Sequence, residues 1–523
     1  MAHRPTTLFI ILTLTSGFGA VAVAAGLAAV LRRVRPLARF RLKRDAAPFV
    51  AAFAAAFFLA VAVATVARHR AFATNGYDLG EYANFIYQFG RGHFFVQTIL
   101  PSENFHPLSL TPLLALLAPA TYVLTEPEYL LLLQAAALAA GIWLTFWAAR
   151  APGSSGWAAA ALAASFALSP ALHGAAFHAA LPRTYALPLV VAAYGFFARG
   201  RFGPGVLCAA LVALCREDLA LHAVGLAVFG GFATGRRRAG VAVAAAFALY
   251  FVVLGSVLYP RWTQPGGRPY YAVFADVKAL AAGPAWLKVA FVGAKVGYLA
   301  VLCLPTVALW SRAGAALITW VTPLAVPVLA MRPGIFAVGS QYPAAVLPFV
   351  YGAAAFALRR WPTPAAGVKS RSARYAVLVA VGSQLLLAAA WANVIVAPRL
   401  RECRGGERAR ALAAAVKLVP PGAAVCADEH LAPHLCHRRY CYIWPEAVGY
   451  RLPATPDALL VERPPAGSPD AGEIVPAARR WGLNLTAYNG YLAYFSNRGP
   501  ALDPRLLRDR WREPATKPAR PRR

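Results

Sequence analysis

The chain predicts an all-α polytopic membrane domain of about twelve spans, followed by a small extracytoplasmic α/β domain. Three observations carry that expectation. Of 523 residues, 59% are hydrophobic and 14% are charged, with a mean hydropathy of +0.53. Many apolar runs reach the roughly 20 residues that cross a ~30 Å hydrocarbon core. From Pro398 these runs stop, and short strand and helix patterns fill a stretch of roughly 100 residues, enough for one core.

Taken in order, Thr7–Leu31 is the first apolar run. It is long for a signal-peptide core and lacks a cleavage site before the basic cluster, so it reads as a retained span. Arg32, Arg33, Arg35, Arg39, Arg41, Lys43 and Arg44 follow, against Asp45 alone. That places the loop in the cytoplasm. Residues 1–46 are this span and loop, and 47–397 form the transmembrane domain. Residues 49–66 run outward, so the next loop lies outside. The run 107–124 is short and holds Pro107, Pro112 and Pro119. If it crossed, Arg236–Arg238 and the Arg359–Arg374 cluster would face outward, so it is read as re-entrant or surface-lying. Spans then alternate over 128–149, 157–171, 185–198, 204–215, 219–233, 240–259, 291–310, 314–331, 343–358 and 376–397. A loop rich in Gly, Pro and aromatics runs from Pro260 to about residue 285. This topology leaves the C-terminal part outside the plasma membrane.

The net charge of +31 sits largely in short loops between apolar runs, as the positive-inside rule requires. It is not the footprint of a nucleic-acid-binding protein. No zinc-finger spacing and no aromatic-basic stacking pattern accompanies it.

The chain is organised around Asn75–Pro112, the first long segment that is neither a span nor a basic loop. Asp78 and Glu81 stand three apart and would share a helix face. Tyr82, Phe85, Ile86 and Phe89 fall on one stripe, with Asn84 and Gln88 elsewhere around it. That pattern predicts a short helix lying along a membrane surface.

In residues 398–498, a helix is expected over 407–417, strands near 421–428, 440–444 and 457–462, a short helix at 430–436 and another at 471–482. Residues 484–488 and 491–495 would form a hairpin across Asn489-Gly490. Residues 499–523 are a basic, Pro-rich tail of disordered composition. Cys208, Cys215 and Cys303 lie in spans as packing residues. Cys403, Cys426, Cys436 and Cys441 lie in the outer domain, where disulfides are expected; a zinc site with His430, His434 or His437 is the rival reading.

Several motifs occur together: Tyr77-Asp78-Leu79-Gly80, Asn104-Phe105-His106-Pro107, Phe177-His178, Arg216-Glu217-Asp218, Gln341-Tyr342 and Pro433-His434-Leu435. Their order and spacing, over roughly residues 50–465, resemble the prokaryotic membrane-protein family known as domain of unknown function 2079. That family is similar to the GT-C glycosyltransferases, which take sugars from polyprenyl phosphates and place an acidic residue in the first outer loop. The resemblance implies a GT-C-like membrane domain, a lipid-linked sugar donor, an unnamed acceptor and no nucleic acid. The chain departs from it in its extra N-terminal span and in Asn104, where relatives often carry an acidic residue.

The chemistry follows from residue types. Sugar transfer needs a carboxylate to deprotonate or orient the acceptor, or to hold a divalent metal against a phosphate leaving group. Asp78 is the candidate base and Glu81 its helper; the alternative is a helix-start signature, Asp followed three later by Glu. No cofactor is required by any motif, and a divalent metal stays open. His106 is a candidate phosphate ligand or acid, or simply the start of an apolar run. His178 and Arg183 suit phosphate oxygens, Arg by its fork, with interfacial snorkelling as the alternative. Arg216, Glu217 and Asp218 interrupt roughly thirty apolar residues, and charges at such depth face a cavity or each other. Glu217 is the third catalytic candidate; Arg216 and Asp218 are substrate-binding candidates, as are Gln341 and Tyr342. A transporter or flippase built on the Arg216–Asp218 break is the rival function, and a non-catalytic scaffold the third. Because Arg216 satisfies only one neighbour well, His106, His178 or Arg183 is expected within reach of Glu217 or Asp218.

Overall fold

The structure is a computed structural model. It describes residues 45–100, 111–124, 126–152, 156–178, 180–258, 285–330, 333–360, 370–463, 473–505 and 507. The first predicted span, His106, the loop at 260–284, the centre of the basic linker and most of the tail lie outside them. The chain forms two compact units, the described parts of Met1–Thr65, Leu108–Leu114 and Leu131–Arg401, and of Val66–Pro107, Ala115–Leu130 and Glu402–Arg523.

Among the described residues, six helices are long and apolar enough to cross a membrane: Ala47–Arg70, Glu128–Ala149, Arg237–Leu258, Lys288–Arg312, Tyr342–Arg359 and Leu378–Glu402. A bent pair, Trp157–Ala167 and Pro170–Phe177, adds a seventh if it is one span. The expected straight span at 157–171 is thus replaced by two helices meeting at 51°. Pro170 is the reason: without an N–H it cannot continue the preceding ladder, but it opens a new helix well. Phe202–Cys215 and Gly314–Leu329 are shorter apolar helices. The 107–124 run, where described, gives only two short turns, Pro112–Ala115 and Ala118–Tyr122.

Inside the first unit, Leu347–Arg359 is buried along nearly its whole length. Its Tyr351 hydroxyl meets Ser165 Oγ at 2.9 Å and accepts from Gln384 Nε2 at 3.0 Å, while Ser165 also donates to the Ala380 carbonyl. Polar side chains in hydrocarbon find partners on neighbouring helices in this way. Leu59, Val63, Val241, Leu249, Val289 and Leu385 stay exposed on the outer faces, as lipid-facing positions must.

The second unit is built on a five-stranded sheet. The strands are β1 Val425–Asp428, β2 Cys441–Trp444, β3 Ala458–Glu462, β4 Asn484–Tyr488 and β5 Leu492–Ser496, in the order β2-β1-β3-β5-β4. β1 pairs with β2 and β3 in parallel, and β5 runs antiparallel to β3 and β4. Tyr442, Trp444, Leu459, Val461, Ile474, Leu485 and Phe495 fill its core. The strand and helix positions expected from sequence recur closely here, because each is a short, unambiguous period.

The expected disulfides are absent: none of the seven cysteines is bonded to another. Register explains part of this. Cys426 pairs with Tyr442 and enters the core, whereas Cys441 pairs with Val425 and so faces the other side of the sheet.

The Asn75–Pro112 stretch departs most from expectation. Gly76–Gly80 forms a wide turn and Glu81–Gly90 an α-helix. That helix does not lie with one face in a membrane surface, because Glu81, Asn84 and Gln88 are buried along with Tyr82, Phe85 and Ile86. Asn84 Nδ2 donates to the carbonyls of Cys436 and Arg438, at 2.7 and 3.0 Å, and Gln88 Nε2 donates to that of Arg439 at 2.6 Å. Asn84 Oδ1 accepts from Thr98 N–H at 2.8 Å. The following residues cover the β2 edge: Ile443 N–H donates to the Ile99 carbonyl at 2.9 Å and Cys441 N–H to Thr98 Oγ1 at 3.1 Å. Gly76 permits the close approach, since a Cβ there would stand 2.7 Å from Ile443 Cδ1 and 3.0 Å from Ala432 Cβ.

Candidate functional site

In the helical unit, the sharpest polar cluster forms where Phe202–Cys215 ends and Glu217–Ala233 begins. Arg216 between them is extended, which breaks the helix and turns three successive charges in different directions. Glu217 and Asp218 occupy the first turn, where the helix dipole favours negative charge. Arg216 Nε lies 3.3 Å from Asp218 Oδ1 and 3.8 Å from Glu217 Oε1.

The second arginine arrives from Pro182–Phe197. Arg183 Nη2 donates to Asp218 Oδ2 at 2.7 Å, and its guanidinium lies 4.8 Å from the centre of the Tyr342 ring. This is the contact expected between a histidine or arginine of that region and the break. Arg183 sits in the first turn of a helix, however, not in a loop, and is only 3% exposed. Snorkelling to an interface does not describe it. Arg216 is 4% exposed and Glu217 8%, while the Asp218 side chain keeps 28%. Asp218 therefore bridges two buried guanidiniums and is itself the open member of the cluster. Guanidinium forks are the donor type that matches phosphate oxygens, and here one carboxylate holds two of them.

His178 follows the bent helix pair. Its Nε2 lies 3.2 Å from the Gly339 carbonyl, and its own carbonyl accepts from Gln134 Nε2 at 2.8 Å. The approach depends on Gly174, where a Cβ would come within 2.8 Å of the Val338 carbonyl oxygen. Gln341 and Tyr342 start the turn Tyr342–Ala345 and are half-buried. The structure therefore brings Arg183, Arg216, Glu217, Asp218 and Tyr342 together.

In the second unit, Asp78 is half-buried in the wide turn and Glu81 is buried in the first turn of its helix. The neighbouring Tyr77 hydroxyl donates to Glu446 Oε1. Burial, reinforced by that carboxylate, raises the Tyr77 pKa well above the usual phenol range, so Tyr77 is a fixed donor there.

Three buried residues escaped the sequence reading. His222 stands one turn after Asp218, within its electrostatic reach and edge-on to Phe349. Tyr298 is fully buried and within electrostatic reach of Arg183. Gln134 binds the carbonyls of Ala175, Ala176 and His178 and accepts from Leu181 N–H. The signal for Gln134 and His222 was available, as each is a lone polar residue inside an apolar run. Tyr298 is amphipathic and gives no such contrast.

The profile of a family described as predicted membrane protein (DUF2079) matches residues 68–484. Among solved structures, ArnT from Cupriavidus metallidurans bound to undecaprenyl phosphate is 14% identical, with a TM-score of 0.51, covering 85% of this chain and 99% of that one. The apo state of the same protein is 16% identical with a TM-score of 0.48, at the same coverages. At such identity the likeness is one of fold. A comparison with curated protein sequences returns no match.

Proposed function

We propose that this chain, which belongs to the DUF2079 family of predicted membrane proteins, is a GT-C-like glycosyltransferase that takes a sugar from a polyprenyl-phosphate carrier. The observation that carries the reading is the buried pair Arg183 and Arg216, clamped by Asp218 in a fold shared with a protein solved with undecaprenyl phosphate. The finer reading adds about twelve spans, a plasma-membrane location, and the sheet domain and transfer reaction on the outer face.

In this reading an acceptor hydroxyl loses its proton to a carboxylate, and its oxygen forms a bond to the anomeric carbon. The bond from that carbon to the phosphate oxygen breaks, and polyprenyl phosphate leaves with the electron pair. Arg183 and Arg216 stabilise the added charge on the leaving phosphate, which is where preorganised donors act most strongly. Tyr342 and Asp218 hold Arg183 in position, and Gln341 and His178 shape the same region. Asp78 serves as the base, with Glu81 supporting it and Glu217 as a second carboxylate. His106 is assigned to phosphate binding. A divalent metal at the phosphate remains an open addition.

The test is transfer itself. Purified full-length protein in lipid nanodiscs, given radiolabelled polyprenyl-phosphate sugars and envelope extracts as acceptors, should release polyprenyl phosphate and label a product. Saturable donor binding with no bond cleavage across the donor panel would replace this reading with a carrier or flippase.

A further inference from the structure

His69, Glu126 and His434 each offer a ligand atom, and these atoms lie within 4.8 Å of one another. The three come from distant parts of the chain within one compact unit. His69 ends the helix Ala47–Arg70, Glu126 precedes Glu128–Ala149, and His434 closes the turn Ala432–His434. We propose that they bind a zinc-class divalent cation, separate from the arginine cluster and independent of sugar transfer.

Three observations support the site. His69 is 1% exposed, and among the described residues neither its Nε2 nor that of His434 has a hydrogen-bond partner. Two orphaned buried ring nitrogens beside a carboxylate are costly unless something occupies the space between them. The other side of the His69 ring is already engaged. Its Nδ1 lies 2.8 Å from Thr74 Oγ1. Metal-bound histidines are held this way, by a partner on the nitrogen that does not ligate. The rings lie stacked, His434 4.0 Å from both His69 and Phe72 and nearly parallel to His69, so one ring must turn out of the stack for both to hold one ion in plane. Finally, the donor set discriminates. Two imidazoles and one carboxylate suit zinc and leave a fourth position open, whereas magnesium and calcium prefer all-oxygen sites. Tetrahedral zinc would draw the ligand atoms to about 3.3 Å apart. In the sequence, a zinc site with His430, His434 or His437 was only the rival to disulfides, and neither His69 nor Glu126 was part of it.

The experiment uses the full chain in nanodiscs, purified on a tag without histidines and without chelator. Elemental analysis should find stoichiometric zinc. Chelation followed by cobalt titration should produce the visible bands of tetrahedral Co²⁺, and excess Mg²⁺ should not compete. Glu126→Gln and His434→Gln should remove those bands, while His93→Gln retains them. Thr74→Val, which deletes only the hydroxyl behind His69, should fold normally and weaken cobalt affinity by about 10–100-fold. Saturating zinc should also raise the melting temperature of the wild type but not of Glu126→Gln. Metal-free wild type that gives no tetrahedral cobalt spectrum overturns the proposal. So does a spectrum unchanged in Glu126→Gln and His434→Gln, or Thr74→Val affinity equal to wild type.

Discussion

Arg183 is held from three directions, by Asp218 at 2.7 Å, by the face of Tyr342 at 4.8 Å, and by burial that leaves it 3% exposed. Each of these demands a different property of the side chain. The fork serves the carboxylate and any phosphate, and the flat guanidinium serves the ring. Lysine keeps the charge and loses both. Arg183→Lys should therefore lower kcat/KM for the lipid-linked donor by tenfold or more, the equivalent of at least ~1.4 kcal/mol, with the protein still in the membrane. Asp218→Asn does something else. It removes the carboxylate that two buried guanidiniums share, with Glu217 still 3.8 Å from Arg216, a change costing roughly 3–5 kcal/mol, so folded yield should fall. Glu217→Gln separates chemistry from structure. If Glu217 acts on substrate, transfer is lost while membrane expression persists. Loss of folded protein with normal specific activity in the remainder would mark it as a structural ion-pair member.

At the scale of elements, the sheet domain was legible in the sequence and the first loop was not. Strands such as Cys441–Trp444 and Ala458–Glu462 announce themselves as short buried runs between turn residues. The helix Glu81–Gly90 has an equally clear apolar stripe, but its polar residues are buried too. Asn84 and Gln88 satisfy carbonyls more than three hundred residues away in sequence, and no local pattern records that. The arginine break was legible because adjacent charges in hydrocarbon are conspicuous; Arg183 lay outside the expected span at 185–198 because its helix starts earlier, at the preceding proline. Disulfides were expected from compartment alone, whereas facing on the sheet decides which thiols can meet. Burial pushes the Cys441 thiol up to about 12 and raises those of Cys426 and Cys436 strongly. Thiolate is the reactive form, so at pH 8 a maleimide should modify half-buried Cys403 well before those three. After denaturation without reductant, all seven cysteines should label; a pair that labels only after reduction would restore the disulfide expectation.

For the whole molecule, the open quantity is the parity of crossings before the sheet domain. Arg32 to Arg44, Arg236–Arg238 and the Arg359–Arg374 cluster carry the basic charge that retains loops in the cytoplasm. All three face inward only if the segment around Pro112 does not cross. Its described turns, Pro112–Ala115 and Ala118–Tyr122, are four and five residues long. At ~1.5 Å per residue neither approaches the ~30 Å of a hydrocarbon core. The bent pair, eleven residues in Trp157–Ala167 and eight in Pro170–Phe177, is counted as one crossing, since neither helix spans alone. Phe202–Cys215 and Glu217–Ala233 have fourteen and seventeen, about 21 and 26 Å, so each spans only a thinned core or stops near Arg216. Because they come as two, they return the chain to the side it left. Counted this way, residue 450 is expected outside. Fusions at residues 45, 237, 365 and 450 should give cytoplasmic reporter signal at the first three positions and an extracytoplasmic one at the last. A cytoplasmic signal at residue 450 would mean an odd number of miscounted crossings, and would place the sheet domain on the wrong side for an outer-face lipid donor.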